Sequence, residues 1–489
     1  MKKILNFFLK YKFEIVLWFF ILAYIIYLSH LSIQRYLSLN SSYYDLGIMN
    51  QVVYNTARGR FLEMTNQALD KNVSRLATHF DPILAFLAPF YFIYPSPSTL
   101  LIIQTIVLAI GAWFIYLISK KTLRNKIYAL IFSLSYLFLF LVTRANLFDF
   151  HPVALATTFL LAAIYFEIVD KNFLAFVFIL LSLLTKEHVG LVTFLYGLYI
   201  SIFRKKKAFG LFISTISLIF FISTVFFIIP YFRQTTHFAA KYFGDFGDTP
   251  EKAIGGILLS PKKLLTIFSR KETLVYLSRF ILSYGGLAIF SPFFVLIASP
   301  EALINILSAN NNMRSLYFHY NSLIVPFLVV GAIFGLRNIN KKYKTFFFVI
   351  FLILNGLAFY YYSPLPKKLV KEPIFEYKVD EKKLKIIYQL QKDYPDEVRV
   401  SSTPRLAPFF TSRHYYDDFL FDPGFIGAGK KEDDIIKEIK KYQKADIIII
   451  DKTEIKGKLS NLFYKHLVDN TSFKRIVLDS YDIEIYKKI

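Results

Sequence analysis

The amino-acid sequence predicts a polytopic α-helical membrane protein of about eleven spans, with a small extracytoplasmic α/β domain at its C-terminal end. Hydrophobic residues make up 55% of the 489 positions, including 54 Phe and 34 Tyr, and the mean hydropathy is +0.44. Many apolar runs are long enough to cross about 30 Å of hydrocarbon at about 1.5 Å per residue. After Pro364 and Pro366 the composition becomes charged and typical of a soluble domain.

The net charge of +23 lies largely in short loops between apolar runs. Basic residues in such loops fix the orientation of spans, so we interpret the charge as topogenic and expect no nucleic-acid partner. Assigning these loops to the cytoplasm predicts a multi-pass protein of the cytoplasmic membrane, with its N-terminus inside and its C-terminal domain outside. The first apolar segment is then an uncleaved anchor. The basic groups lie within Lys2–Lys12, Lys120–Lys126, Arg204–Lys207 and Arg337–Lys344.

The transmembrane domain is predicted over residues 1–366, with two large outer loops at 32–80 and 231–279. Prolines break the apolar segment 83–94, which is expected to be re-entrant or interfacial. Two shorter spans near the end of the domain are expected to be interrupted by Pro292 and Pro300. The other spans are predicted at about 15–31, 98–119, 127–143, 152–169, 172–185, 189–203, 208–230, 322–338 and 345–362.

The C-terminal α/β domain is predicted over residues 367–489. Apolar residues at helical spacing predict an amphipathic helix at Lys382–Lys392, and a second helix is expected at Glu432–Tyr442. A short strand is expected at Val398–Ser401. Ile447 to Ile450 form a continuous apolar run between acids, which predicts a fully buried strand over Asp446–Asp451.

The chain contains no cysteine. Disulfides and thiolate metal sites are therefore excluded, and any metal has to be held by oxygen or imidazole ligands. We expect any such cofactor to be a divalent cation such as Mg²⁺ or Mn²⁺. The sequence also contains no P-loop, GxSxG elbow or HExxH motif, which argues against a nucleotide-driven pump or a common hydrolase.

Three short motifs lie at the predicted outer ends of apolar segments, and the first contains Asp45. Acids and histidines are costly to place near hydrocarbon, so their concentration at one face indicates a polar site at the lipid–water boundary. Asp45 is a candidate to deprotonate an incoming hydroxyl or to hold a divalent cation. The structural alternative is a helix N-cap at the start of Leu46–Thr56. The motifs are Tyr44-Asp45-Leu46-Gly47, His79-Phe80-Asp81-Pro82 and Asp149-Phe150-His151-Pro152.

The other two motifs each place an acid and a histidine two residues apart. In extended backbone such residues point the same way, so His79 with Asp81, and Asp149 with His151, are candidates to ligate one ion or share one proton. Helix capping before proline is the alternative for Asp81 and His151. We count all four residues among the catalytic candidates, and Asp45, Asp81 and Asp149 as candidate metal ligands.

Basic and aromatic residues at the same face are candidates to bind a phosphate. Lys186 and Arg144 lie at the outer ends of two predicted spans, where they are placed to grip a lipid phosphate or diphosphate. A snorkelling lysine neutralised by Glu187 is the alternative, although Glu187 is also a catalytic candidate. Arg314, His319 and Tyr320 form a second half of the predicted anion site, with an interfacial aromatic belt as their alternative.

These motifs, taken in order, resemble a prokaryotic family of predicted membrane proteins, domain of unknown function 2079. The resemblance covers about residues 40–335. His188 departs from the pattern, which has an acidic residue there. The matching positions are Tyr44 to Ile48, Gln51, His79 to Pro82, Ala88, Pro89, Gln104, Asp149 to Pro152, Lys186, Glu187, His319, Tyr320 and Pro326.

That family is in turn similar to GT-C glycosyltransferases, which use polyprenyl-phosphate sugars and carry a key acid in the first outer loop. Asp45 matches that placement. The resemblance implies a GT-C-like fold and transfer of a sugar from a lipid-linked donor at the outer membrane face, with the donor and membrane lipid as partners. A transporter or lipid flippase using a proton relay, and a non-catalytic scaffold, are the alternatives.

Overall fold

The computed structural model describes residues 2–67, 71–365, 377–420, 440–476 and 482–489. The chain is predominantly helical and contains several long apolar helices, which confirms the predicted class in this coarse form. Packing divides it into two compact units. Unit 1 comprises residues 1–32, 76–83 and 102–376, and unit 2 comprises residues 33–75, 84–101 and 377–489. Most of the first outer loop, residues 33–75, therefore groups with the C-terminal segment. The domain boundaries predicted from the sequence stay a prediction.

The helices that run through unit 1 follow one another with short connections. Helix α1 (Lys2–Leu37) and helix α4 (Pro97–Leu123) begin or end in unit 2. The others are α5 (Lys126–Leu137), α6 (Phe140–Leu147), α7 (Pro152–Ile168), α8 (Asn172–Leu183), α9 (Val189–Phe203), α10 (Lys207–Ile222), α11 (Ile229–Arg233), α12 (Pro250–Leu259), α13 (Pro261–Phe268), α14 (Lys271–Phe280), α15 (Gly286–Ala288), α16 (Pro292–Leu307), α17 (Ile324–Asn338) and α18 (Lys341–Tyr362).

Within the described residues, five helical segments are long and apolar enough to cross a membrane. They are Leu9–Leu37, Pro97–Leu123, Lys126–Leu147, Lys207–Arg233 and Lys341–Tyr362. Six shorter apolar helices accompany them, at Pro82–Tyr91, Pro152–Ile168, Asn172–Leu183, Val189–Phe203, Pro292–Leu307 and Ile324–Asn338. The number of spans stays a prediction.

Two predicted spans differ from the observed helices. Pro300 lies inside α16 instead of interrupting it, because the backbone carbonyl freed by a proline is tolerated in a packed apolar helix. The span predicted at 127–143 is broken at Phe138 and Leu139 into α5 and α6. Phe138 packs there against Phe20 and Phe359, with ring centroids 6.4 and 5.8 Å away, so tertiary packing overrides local helix propensity.

The backbones of helices α9 and α10 approach each other closely in unit 1. A Cβ added at Gly210 would lie 2.3 Å from the amide nitrogen of Ser201 and 2.6 Å from the carbonyl oxygen of Gly197. Small residues at such crossings allow apolar helices to pack through van der Waals contact. The core that these helices share buries Val192, Tyr196 and Ile200.

Unit 2 contains a five-stranded mixed sheet among its described residues, with strand order β4-β3-β5-β7-β6. The strands are β3 (Val400–Ser402), β4 (Tyr416–Asp418), β5 (Ile447–Asp451), β6 (Phe473–Ile476) and β7 (Ile483–Lys488). Strand β3 pairs in parallel with β4 and β5, and β7 pairs antiparallel with β5 and β6. All five residues of β5 are buried, as the apolar run predicts.

Three helices accompany the sheet: α19 (Glu381–Asp393), α20 (Ala407–Phe410) and α21 (Lys458–Val468). Helix α19 covers the helix predicted at 382–392. The helix predicted at 432–442 lies mostly outside the described residues, and Lys440–Lys444 forms a short 3-10 helix.

The first outer loop contributes a short helix and a hairpin to unit 2, and the apolar segment 83–94 contributes a second short helix. Helices α2 (Ile48–Ala57) and α3 (Ala88–Tyr91) accompany strands β1 (Glu63–Asn66) and β2 (Lys71–Ser74), which pair antiparallel. Gln67 donates from Nε2 to the carbonyl of Tyr416, at 3.0 Å, and accepts from the amide of Asp418, at 2.8 Å. This side-chain amide therefore joins the hairpin to strand β4.

Glu454 gives unit 2 a pH dependence that can be measured. Burial raises the pKa of its carboxyl from 4.5 to about 7. Between these two values the folded chain binds more protons than the unfolded chain, so stability is fully present below pH 4.5 and is lost as the pH rises through 7. We expect the loss to be about 3 kcal/mol. Urea unfolding of the full-length protein, followed by protease protection of the C-terminal segment, measures it. Glu454→Gln should remove this slope, and an unchanged slope would show that another group causes it.

Candidate active site

A buried carboxylate in unit 1 lies between two histidines. The Glu187 side chain follows α8 and is 6% exposed, and its Oε1 lies 2.9 Å from Nδ1 of His79 and 3.5 Å from Nε2 of His237. Its Oε2 accepts a hydrogen bond from the amide of Phe80, at 3.1 Å. The amide of Ile83 also donates to the carbonyl of Leu184, at 3.0 Å. The His79–Asp81 motif is thus fixed to the turn between α8 and α9.

The two histidines keep Glu187 ionised despite its burial. Burial raises the pKa of this carboxyl, but the charge of His79 and the contacts of His237 outweigh it, so the pKa lies well below the ordinary value of 4.5. The side chain of His79 is 22% exposed, whereas that of His237 is 5% exposed. His79 is therefore the member of the cluster that a solute can reach.

A second histidine pair connects the motif before α7 with the segment before α17. The rings of His151 and His319 stack with centroids 3.6 Å apart. Burial, followed by the charges of His151 and Lys186, lowers the pKa of His319 well below its ordinary value. His319 is therefore neutral at physiological pH. His188 lies 3.1 Å from the buried Glu301, so the histidine that departs from the family pattern has an acid partner from α16.

Gln104 of α4 holds the backbone of the third motif in place. Its Nε2 donates to the carbonyl of Asp149, at 2.7 Å, and its Oε1 accepts from the amide of His151, at 2.9 Å. Asp149 has a positive φ of 49°, a conformation that Asp tolerates better than most residues. Nδ1 of His151 lies 3.2 Å from the carbonyl of Phe148.

Gln104→Leu should destabilise the protein by about 2–4 kcal/mol, because it leaves two buried backbone groups without their partner. Gln104 is 0% exposed. Chemical unfolding in detergent measures the loss. The matched control is Gln389→Leu on α19, an exposed glutamine, for which we expect a change below about 0.5 kcal/mol. Equal effects of the two changes would contradict the role assigned to Gln104.

A cationic cavity of about 820 Å³ lies in unit 1. Its described lining brings together two of the predicted phosphate ligands, Arg144 and Arg314. Five basic side chains and one acidic one give the lining a net charge of +4. The charged residues are Arg144, Arg270, Lys271, Glu272, Arg279 and Arg314.

The arginines of the cavity differ in whether their N–H groups already donate hydrogen bonds within the protein. Arg314 donates to the carbonyls of Asn305, Ile306 and Ser308, at 3.1, 3.2 and 2.6 Å, and thereby caps the end of α16. Nε of Arg144 donates to the carbonyl of Tyr362, at 2.7 Å. In contrast, Nε of Arg279 is buried without a hydrogen-bond partner among the described residues. An unsatisfied buried donor in a cationic cavity is a position where an anion is expected.

An apolar groove of about 380 Å³ lies next to the cationic cavity. Phe140 of the groove precedes Arg144 by one turn of α6, and Phe359 precedes Tyr362 on α18. The rings of Phe140 and Tyr362 lie 5.3 Å apart, at the boundary between the two spaces. Most of the lining is apolar: Ile131, Leu134, Ser135, Phe138, Leu139, Phe140, Leu352, Asn355, Gly356, Ala358 and Phe359.

The remaining predicted residues lie elsewhere. Among the described residues, the lining of the cavity does not include Lys186, His319 or Tyr320. The carbonyl of Tyr320 accepts from Nδ2 of Asn305, at 2.7 Å. Asp81 is buried in unit 1. The structure thus brings His79 together with Glu187, and His151 together with His319.

Asp45 belongs to unit 2, where it lies in a π-helical turn, Tyr43–Gly47. Helix α2 begins at Ile48 with Gly47 as its N-cap, so the N-cap role weighed for Asp45 is wrong. Tyr43 anchors the turn by donating to the carbonyl of Thr65, at 2.9 Å. A Cβ at Gly47 would lie only 3.3 Å from the Tyr43 ring. The buried residues Tyr43 and Gly47 therefore fix the turn that carries the Asp45 carboxylate, which is partly exposed.

Several site residues were missed by sequence reasoning. His237 has no acid or base at an interpretable spacing, and only the tertiary fold brings it to Glu187. Arg270, Lys271 and Arg279 lie at the edge of the second outer loop, where interfacial arginine and lysine are common. The sequence feature that could have indicated Lys271 and Arg279 is the strongly amphipathic pattern of α14, the helix that carries both residues.

Comparisons with known proteins agree with a membrane protein. A family model described as "Predicted membrane protein (DUF2079)" matches residues 35–464. No curated protein matches the chain. The chain is similar to the crystal structure of ArnT from Cupriavidus metallidurans bound to undecaprenyl phosphate, with 10% identity and a TM-score of 0.49, over 96% of this chain and 98% of that one. The apo form of ArnT gives 12% identity and a TM-score of 0.48, over 91% and 93%.

Proposed function

The chain belongs to the DUF2079 family of predicted membrane proteins, and we propose that it is a glycosyltransferase of the cytoplasmic membrane. In this proposal it transfers a sugar from a polyprenyl-phosphate donor to an acceptor at the outer face. The N-terminus lies in the cytoplasm and the C-terminal domain lies outside.

The observation that carries the proposal is the cationic cavity beside the apolar groove. An amphiphile with an anionic head and a long hydrocarbon tail matches both spaces at once. Arg144 and Arg279 would hold the phosphate, while the tail lies along α18 between Leu352 and Phe359. Leu352 is 38% exposed, so the groove is open to the side, from which a lipid enters.

The head and the tail contribute comparable binding free energies. A hydrogen bond to a charged group contributes about 1.5–3 kcal/mol, and each buried methylene contributes about 0.8 kcal/mol. The binding free energy of two arginine contacts to the phosphate is therefore similar to that of burying about five methylene groups of the tail. A ligand that lacks either part should bind much more weakly, which distinguishes a lipid phosphate from a free phosphate or a neutral lipid.

The cavity also suits the chemistry of sugar transfer. The acceptor hydroxyl attacks the anomeric carbon as the bond from that carbon to the phosphate oxygen breaks, and negative charge accumulates on the departing phosphate. Fixed arginines stabilise that charge without reorganisation. Asp45 is the proposed general base that takes the hydroxyl proton. Asp81, Asp149 and His151 are proposed to contribute polar groups to the site.

Proteoliposomes that contain labelled polyprenyl-phosphate sugars and a membrane extract as acceptor test this proposal. We expect the wild-type protein to transfer label, and Asp45→Asn to reduce turnover by about 10²–10⁴-fold while donor binding is retained. Asp248→Asn is the control, since Asp248 is an exposed acid of the second outer loop that pairs with Lys252 at 3.0 Å.

Two results would contradict the proposal. Unchanged transfer by Asp45→Asn would remove the role assigned to that carboxylate. Movement of intact donor across the bilayer without transfer of its sugar would favour the flippase alternative.

A further inference from the structure

We propose that His79, Glu187 and His237 form a binding site for a transition-metal ion of the Zn²⁺ class. This inference does not rest on the proposed sugar transfer. It also differs from the ligands expected from sequence, Asp45, Asp81 and Asp149, because it combines two imidazoles with one carboxylate. All three residues belong to unit 1.

The ligand atoms have the spacing that a metal requires. One nitrogen from each histidine and one carboxylate oxygen all lie within 4.8 Å of one another. Oε1 of Glu187 lies 2.9 Å from the His79 nitrogen and 3.5 Å from the His237 nitrogen. Ligand atoms around a tetrahedral Zn²⁺ with bonds of about 2.1 Å are separated by about 3.4 Å. A small adjustment of the His79 and His237 side chains, in which the His79 nitrogen moves away from Oε1 of Glu187, would therefore give the three ligand atoms this spacing.

The chemistry of the three ligands selects the class of metal. Imidazole nitrogens favour Zn²⁺ and similar first-row ions, whereas Mg²⁺ and Ca²⁺ prefer sites made of oxygen atoms. Two histidines and one glutamate leave a fourth position open for water or a substrate oxygen, as in catalytic zinc sites. The exposure of the His79 side chain, 22%, provides the side from which the ion and a fourth ligand reach the cluster.

The surrounding hydrogen bonds define what changes when metal binds. The amide of Phe80 donates to Oε2 of Glu187, so this carboxylate is oriented and its Oε1 faces the histidines. The amide of Ala239 donates to Nδ1 of His237, at 3.1 Å, which leaves the proton of the neutral ring on Nε2. Metal at Nε2 would move that proton to Nδ1 and break the contact with Ala239. One neutral hydrogen bond is a small loss beside three metal–ligand bonds.

The test uses the full-length protein, purified with a tag that contains no histidine and treated with a chelator. Zn²⁺ or Co²⁺ alone is then added, and the bound metal is quantified by inductively coupled plasma mass spectrometry. We expect one ion per chain, and visible Co²⁺ absorption typical of four-coordinate geometry. The absence of cysteine means that thiolate bands will not obscure the spectrum.

Variants distinguish this site from adventitious binding. We expect His79→Ala, His237→Ala and Glu187→Gln each to weaken Zn²⁺ binding at least 10-fold. The matched control is His188→Ala, which removes a histidine that also pairs with a buried glutamate, Glu301. It should leave the stoichiometry and the affinity unchanged. Stoichiometric binding that is equally insensitive to all four changes would overturn the proposal.

X-ray absorption spectroscopy of the metal-loaded wild-type protein gives an answer even if a variant fails to fold. We expect the metal to have two imidazole nitrogens among its ligands, with oxygen atoms in the remaining positions. A shell of oxygen atoms alone, or no retained metal, would overturn the site. Neither experiment contains a lipid-linked sugar, so failure here would leave the glycosyltransferase proposal standing.

Discussion

Replacing Glu187 with alanine is expected to reduce the free energy of unfolding by about 3–5 kcal/mol, because removing one partner of a buried ionic cluster leaves the others uncompensated. The change removes the acceptor of His79 and of the Phe80 amide, and the neighbour of His237. Chemical unfolding in detergent measures the loss.

A half-buried pair of the same chemistry, more exposed than the Glu187 cluster, provides the control for Glu187→Ala. Glu63 and His414 lie 2.7 Å apart, with side chains that are 29% and 35% exposed. Glu63→Ala should cost at most about 1 kcal/mol, since water screens such pairs. Similar losses for the two variants would contradict the view that burial makes the Glu187 cluster a structural centre.

Replacing Arg279 with glutamate is expected to weaken the binding of a polyprenyl phosphate by at least about 100-fold. The change removes one charge-assisted hydrogen bond, worth about 1.5–3 kcal/mol, and places a negative charge beside the phosphate. Displacement of a fluorescent polyprenyl phosphate from the detergent-purified protein measures the affinity.

Arg337→Glu is the matched control for Arg279→Glu. Arg337 lies at the end of α17, over the ring of Phe334 at 4.6 Å, and is not part of the described cavity lining. This reversal of an equal charge should change the affinity by less than about twofold, because Arg337 is exposed and lies outside the described lining, where salt screens its charge. Equal effects of the two reversals would indicate attraction by net charge instead of a specific site.

Helix positions in the membrane part could be predicted because their signals are local. Helix α7 begins at Pro152, as expected from the preference for proline at the first helical position. Helix α9 spans Val189–Phe203, the range predicted from its apolar run. The β1–β2 hairpin was not predicted. Its strands are polar and short, without the alternation of apolar and polar residues that marks a half-buried strand.

The site could be predicted only in part, because its residues meet through the tertiary fold. Spacing along the chain paired His79 with Asp81, whereas the fold brings Glu187 to His79 from the turn after α8. Arg144 and Arg314 were predicted together and do share a cavity. Arg279, whose Nε lacks a partner among the described residues, could not be singled out, since an arginine near an apolar segment is usual at a membrane interface.

Native mass spectrometry of polyprenyl phosphate binding, with the protein in nanodiscs, tests the central claim most directly. It would compare the wild-type protein with Arg144→Ala in the cationic cavity and Gly356→Trp in the apolar groove. We predict saturable binding of one lipid per chain, weakened by either change and absent for the corresponding polyprenol. No binding, or binding that is indifferent to both changes, would contradict the assignment of the two spaces to one lipid-linked donor.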